Sequence, residues 1–90
     1  MAADERPDLD DRFDDAPVGH EQVHLDARDL PPPKPLRETL ERLAELDEET
    51  VLVQTNDRRP QHLYPRLEDR GYEYETVADG DAAITAIWPA

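Results

Sequence analysis

Large apolar residues fall into two periods along this chain, and they begin in earnest only at residue 21. Val23, Leu25 and Ala27 alternate with His24 and Asp26, the period-two pattern of a half-buried strand over 22–27. Leu36, Leu40, Leu43 and Leu46 then recur at helical spacing with Arg37, Glu38, Glu41, Arg42 and Glu45 between them. That spacing predicts an amphipathic helix of about three turns. Its i,i+4 pairs include Glu38 with Arg42 in the favourable order and Arg37 with Glu41 in the less favourable one. Prolines crowd the approach to this helix, where first-turn N–H groups have no intrahelical acceptor to lose.

The remainder reads as three strands and one helix. Thr50 to Thr55 is short and β-branched, a second strand. Asn56-Asp57-Arg58-Arg59-Pro60 makes the turn after it. Leu63 and Leu67 share the inner face of a shorter helix over about 62–70, with Pro65 in its first turn. Gly71 suits the left-handed position that ends such a helix. Tyr72 to Val77 alternates large and acidic residues as a third strand. Asp79-Gly80 signals a hairpin into a fourth strand over 82–88, stopped by Pro89.

The order β-α-β-α-β-β predicts an α+β fold, a two-layer sandwich with both helices on one face of a mixed four-stranded sheet. Ile84, Ile87 and Trp88 cannot all point inward from a regular fourth strand. Some apolar surface is therefore expected on the open face, left to water, to the chain's own tail or to a second subunit. A monomer, or a weak homodimer through that face, follows.

Residues 1–20 read as a separate acidic, disordered tail and 21–90 as one domain. The tail holds seven carboxylates, two arginines, Pro7, Pro17 and Gly19, with Leu9, Phe13 and Val18 as sparse hydrophobes. Such a segment buries too little surface to offset its ordering entropy, although its hydrophobes could dock on the body or a partner.

Charge narrows the setting further. Twenty-three acidic residues face ten basic ones, a formal charge of −13, and Lys34 is the only lysine. An acidic surface that prefers arginine fits a halophilic protein, whose self-repulsion is screened by concentrated salt. It argues against nonspecific nucleic-acid binding and against anionic membranes. The chain has no cysteine, so it can form no disulfide, thiolate metal site or persulfide. Its acidic start lacks the apolar run of a signal peptide, and a cytoplasmic location is the expected one.

Candidate chemistry gathers at one edge. The carboxyl ends of the first two strands and the amino ends of both helices converge there, and helix amino ends favour anions. Arg28, Arg58 and Arg59 lie in the loops of that rim, beside Asp26, Asp57, Pro32 and Pro33. Guanidinium forks suit oxyanions. The competing reading, that the arginines pair with Asp26, Asp29 or Asp57 and hold the loops together, describes the more frequent arrangement. Tyr64 either presents its hydroxyl to the rim or, the preferred reading, packs the second helix on the sheet edge. His20, His24 and His62 are weak metal candidates. His20 and His24 lie about 13 Å apart if extended, and no HExxH or carboxylate loop accompanies them. No cofactor is implied. The chain has no serine, P-loop or dinucleotide fingerprint, and only Asp26 or Asp57 offers itself as a base in a third, enzymatic reading.

Two blocks carry a family resemblance. Leu25-Asp26-Ala27-Arg28-Asp29-Leu30, followed by Pro32-Pro33-Lys34-Pro35, resembles the strand-to-helix motif of the TusA/SirA sulfur carriers, with Pro32 where their cysteine stands. Asn56 to Pro60, Leu63-Tyr64-Pro65 and Leu67-Glu68-Asp69-Arg70-Gly71-Tyr72 resemble the uncharacterised family numbered 2249, related to those carriers. The resemblance implies strand order 1-2-4-3 with strand four antiparallel to the rest. It also implies an archaeal, salt-loving source and a setting around redox or denitrification metabolism. Sulfur transfer does not carry over without the cysteine. The expected function is a non-enzymatic accessory or regulatory domain that binds a protein partner, with a small-anion or metal sensor as the alternative.

Overall fold

The computed structural model of the chain describes residues 13, 14, 16, 20–31 and 33–90. Six elements follow in order: β1 (Glu21–Asp26), α1 (Lys34–Glu45), β2 (Thr50–Asn56), α2 (Leu63–Asp69), β3 (Tyr72–Asp79) and β4 (Ala82–Pro89). The four strands form one sheet in the order β1-β2-β4-β3. β1 and β2 are parallel, and β4 runs antiparallel to both of its neighbours. The α+β sandwich and strand order expected above are the ones observed.

Local chemistry explains the boundaries. Pro33 caps α1 without a side-chain hydrogen bond, and Pro35 occupies its first turn, where the missing N–H costs no ladder bond. α1 begins two residues before its first leucine because prolines are well placed there. α2 ends where Gly71 takes φ +82°, a conformation open to a residue without Cβ. Gly71 N–H donates to Glu68 O at 3.2 Å, and Ala90 N–H closes on Gly71 O at 2.8 Å. In the hairpin, Asp79 pairs with Ala82, so the loop is Gly80-Asp81 rather than Asp79-Gly80. Gly80 has φ +62° while no described non-glycine residue has positive φ, the pattern of a type II′ turn.

Burial sorts into two layers across the sheet. On the helix side, Leu25, Leu52 and Ile87 pack with Leu43 of α1 and with Leu63 and Leu67 of α2. Leu36, Leu40, Leu46, Tyr64, Tyr72 and Tyr74 complete this core. Tyr72 Oη donates to Leu43 O at 3.2 Å, which ties the last turn of α1 to β3. On the opposite side, Val51 and Val53 of β2 meet Ile84, Ala86 and Trp88 of β4. Ile87 thus faces inward while Ile84 and Trp88 face away, as strand alternation requires. That second layer is not bare: Phe13 and Ala16 from before β1 are buried in it. Among the described residues, no helix is long and apolar enough to cross a membrane.

Candidate functional site

The rim is built by the continuation of two neighbouring strands. Ala27 N–H donates to Thr55 O at 2.8 Å, which extends the β1–β2 ladder one residue past β1. The chain then turns, with Leu30 N–H on Ala27 O at 3.2 Å, and Lys34 N–H on Pro31 O at 2.9 Å starts the winding of α1. Beside it, the nearly buried Asn56 ends β2 and accepts the Asp57 N–H on Oδ1 at 2.8 Å. Gln61 N–H on Arg59 O and Leu63 N–H on Pro60 O, both 2.9 Å, lead the chain into α2.

Arg28 and Asp26 form the best-defined polar unit of the rim. Arg28 Nε donates to Asp26 Oδ1 at 2.9 Å and Nη2 to Oδ2 at 2.7 Å, a two-pronged fork. Arg28 N–H adds a third bond to Oδ1 at 3.1 Å. The Arg28 side-chain bonds, then its backbone N–H, hold the Asp26 carboxyl at about 2, below its ordinary value, against a small opposing effect of burial. The same pairing raises the Arg28 guanidinium. Both side chains remain 53% exposed, so solvent screens the pair. In the second loop Arg58 Nε lies 3.8 Å from Asp57 Oδ1, a loose contact between two exposed side chains. Arg59 is exposed on the same loop. Each arginine–aspartate pair therefore sits within one loop and does not bridge the two.

The remaining candidates disperse. Pro33 is exposed at the start of α1, whereas Pro32 lies outside the described residues. Tyr64 turns toward β3, where its ring stacks on Tyr74 with centroids 4.4 Å apart and planes 2° from parallel. Its hydroxyl is hydrogen-bonded to the Thr76 hydroxyl at 2.5 Å, and the Thr76 hydroxyl to that of Thr85 at 2.8 Å, with either oxygen able to donate in each. The Tyr64 hydroxyl is engaged in the sheet. His20 lies just before β1, His24 lies within it, and His62 precedes α2. Among the described residues no group of three or more histidines and carboxylates is placed to hold a metal ion.

A polar layer under the helices had escaped the sequence reading. Thr39 and Gln54 are fully buried on the helix side. Thr39 Oγ1 donates to Pro35 O at 2.7 Å and accepts from Gln54 Nε2 at 2.6 Å. Gln54 Oε1 is buried with no hydrogen-bond partner among the described residues. The available signals were a threonine beside the leucine stripe and a glutamine inside a β-branched run.

Two parallel strands, a crossover helix, a second helix and a closing hairpin define a SirA-like domain. The chain belongs to the family of uncharacterized conserved proteins designated DUF2249, whose profile matches residues 24–88. It is similar to the crystal structure of a SirA-like protein from Desulfitobacterium hafniense, at 26% identity and a TM-score of 0.62. That similarity covers 74% of this chain and 97% of the other. No curated protein sequence matches the chain significantly.

Proposed function

We propose that this domain is a non-enzymatic accessory module that recognises a protein partner through the rim of Asp26, Arg28, Pro33, Asp57, Arg58 and Arg59. The carrying observation is the state of the Arg28 fork. Its Nε and Nη2 already serve Asp26, so the charges stand as a pre-set exposed pair and not as an open anion clamp. A rim stiffened by proline on one side and by the Asn56–Asp57 turn on the other loses little entropy on docking. The SirA-like fold stands without the cysteine that a sulfur carrier uses, which favours a binding role over sulfur transfer. The family resemblance supports partners from redox metabolism, denitrification included.

The test is a capture experiment from the native host in high salt, run in parallel with the intact chain and an R58E/R59E variant. Proteins held by the first and released by the second are then purified and titrated against the labelled domain. Amide shifts confined to 26–34 and 56–62 are expected; specific partners retained equally by the variant would exclude the rim.

A small-oxyanion sensor is the second reading, favoured by one observation. α1 starts with no side-chain cap and no acidic residue in its first turn, so no carboxylate there offsets the helix's positive end, although Lys34 N–H and Arg37 N–H are held by Pro31 O and Pro33 O and Pro35 has none to offer. Nitrite, sulfate and phosphate titrations followed by amide shifts decide this reading. Shifts at Lys34 to Arg37 are expected if it holds, and silence there at millimolar anion removes it.

A further inference from the structure

The sheet face opposite the helices is apolar at its centre and acidic along one margin. Val51, Val53, Ile84, Ala86 and Trp88 form the centre. Glu73 and Glu75 of β3 register with Trp88 and Ala86, which places both on this face. β1 adds Gln22, His24 and Asp26 on the far side, since Gln22 and His24 register with Val51 and Val53. Phe13 and Ala16 seat on the centre. Glu75 accepts the Asp14 N–H on Oε2 at 2.8 Å and the Ala16 N–H on Oε1 at 3.3 Å.

These contacts differ in kind from those of the sheet. The seated segment adds no strand to the ladder, whose order is β1-β2-β4-β3 alone. Apolar side chains attach it, with a carboxylate that accepts the N–H groups of Asp14 and Ala16, two positions apart. Its charge works against it. The sequence before residue 21 carries a net −5, and the remaining residues carry −8. Asp14 itself is exposed on the seated turn, near the Glu73 and Glu75 margin. Like charges across this contact repel over about 10 Å at 0.1 M salt and over only about 3 Å at 1 M.

We propose that this face is a docking surface whose occupant is the chain's own Phe13, Asp14 and Ala16, seated as a strap in concentrated salt and released when salt is withdrawn. Phe13 is the anchor and Glu75 the latch. Release uncovers Val51, Val53, Ile84 and Trp88 together, a contiguous apolar surface of the kind that proteins bury against partners. The strap thus makes exposure of a second interaction face depend on ionic strength, separately from the rim.

The experiment uses the full chain and follows amide hydrogen exchange and acrylamide quenching of Trp88, the single tryptophan, between about 3 M and about 0.1 M KCl. On lowering salt, the Asp14 and Ala16 amides should lose roughly tenfold or more in protection while Val53 and Ala86 keep theirs, the mark of local opening. Trp88 quenching should rise over the same range. Phe13→Ala should show the low-salt quenching already at high salt, with unchanged far-UV circular dichroism. Three results would overturn the proposal. Protection at Asp14 and Ala16 that ignores salt removes the switch. Loss of protection in step with Val53 and Ala86 makes the segment part of one folding unit. Unprotected Asp14 and Ala16 at high salt, with a doubled mass by sedimentation, gives the face to a second copy.

Discussion

Gln54 and Thr39 are both fully buried, yet neither is apolar. Their hydrogen bond spans the gap between β2 and α1, and the Thr39 hydroxyl in turn donates a hydrogen bond to the Pro35 carbonyl. Thr39→Val leaves the Gln54 amide without its acceptor in the core and should cost about 1–3 kcal/mol. The double substitution Thr39→Val with Gln54→Leu removes both polar groups, and should recover most of that loss in urea denaturation. Asp26 makes the opposite case, a charged group on the surface. Its carboxyl titrates at about 2, below the value of 3.8 for the free side chain. A lowered folded-state value means that Asp26 contributes stability above the unfolded-state value and loses it as pH falls toward about 2. Carbon-detected titration of Asp26 should show that midpoint, and Arg28→Ala should return it toward 3.8 because the largest cause is the Arg28 side chain. Pairing of Arg28 with an aspartate was among the sequence readings, with Asp26, Asp29 and Asp57 all open; the structure selects Asp26, and the pair does not join the two loops. The meeting of Thr39 and Gln54 was not among them, because a polar residue in a core is set by a partner 15 positions away.

The elements were legible wherever a period repeats and a turn residue closes it. The leucines of α1, the β-branched run of β2 and the alternation of β3 all give the elements found. Gly71 is a case where chemistry alone decides: φ +82° demands glycine, and a Cβ there would meet nothing within 4 Å. Gly71→Ala should therefore cost about 1–2 kcal/mol from backbone strain alone, measurable as a lower denaturation midpoint with unchanged slope. Tyr64 takes the preferred of its two readings and packs α2 on the sheet edge at β3. Its chain neighbours place it beside the rim, but rotation about α2 sends its ring to Tyr74 and its hydroxyl to Thr76. Tyr74 in turn donates to Glu68 Oε2 at 2.6 Å, which with burial raises its phenol to about 12. A raised value contributes stability below the unfolded-state titration and loses it as pH climbs through about 12. Glu68→Gln should lower that phenol midpoint in an ultraviolet pH titration, and a midpoint unmoved by the change would detach Glu68 from the shift.

At the scale of the whole molecule, two surfaces adjoin on one small sheet, the rim at its end and the apolar face on its side, with Asp26 at their border. The rim belongs to the strand and helix ends, and the apolar face belongs to β2 and β4. Independence of the two is testable: the R58E/R59E variant should leave Trp88 quenching unchanged, and Phe13→Ala should leave the amides of 26–34 unmoved. The sequence by itself determined the elements, the turn glycines, the net charge and the lack of sulfur chemistry. Each of these depends on residues a few positions apart or on composition, where periodicity and backbone sterics act directly. The resemblance of two sequence blocks added the strand order. The tertiary structure chose Tyr74 and Thr76 as the partners of Tyr64, brought Gln54 and Thr39 together in the core, and set Phe13 on the face with Trp88. Those contacts join residues distant in sequence, and their partners are chosen by which surfaces remain to be buried once the sheet has closed.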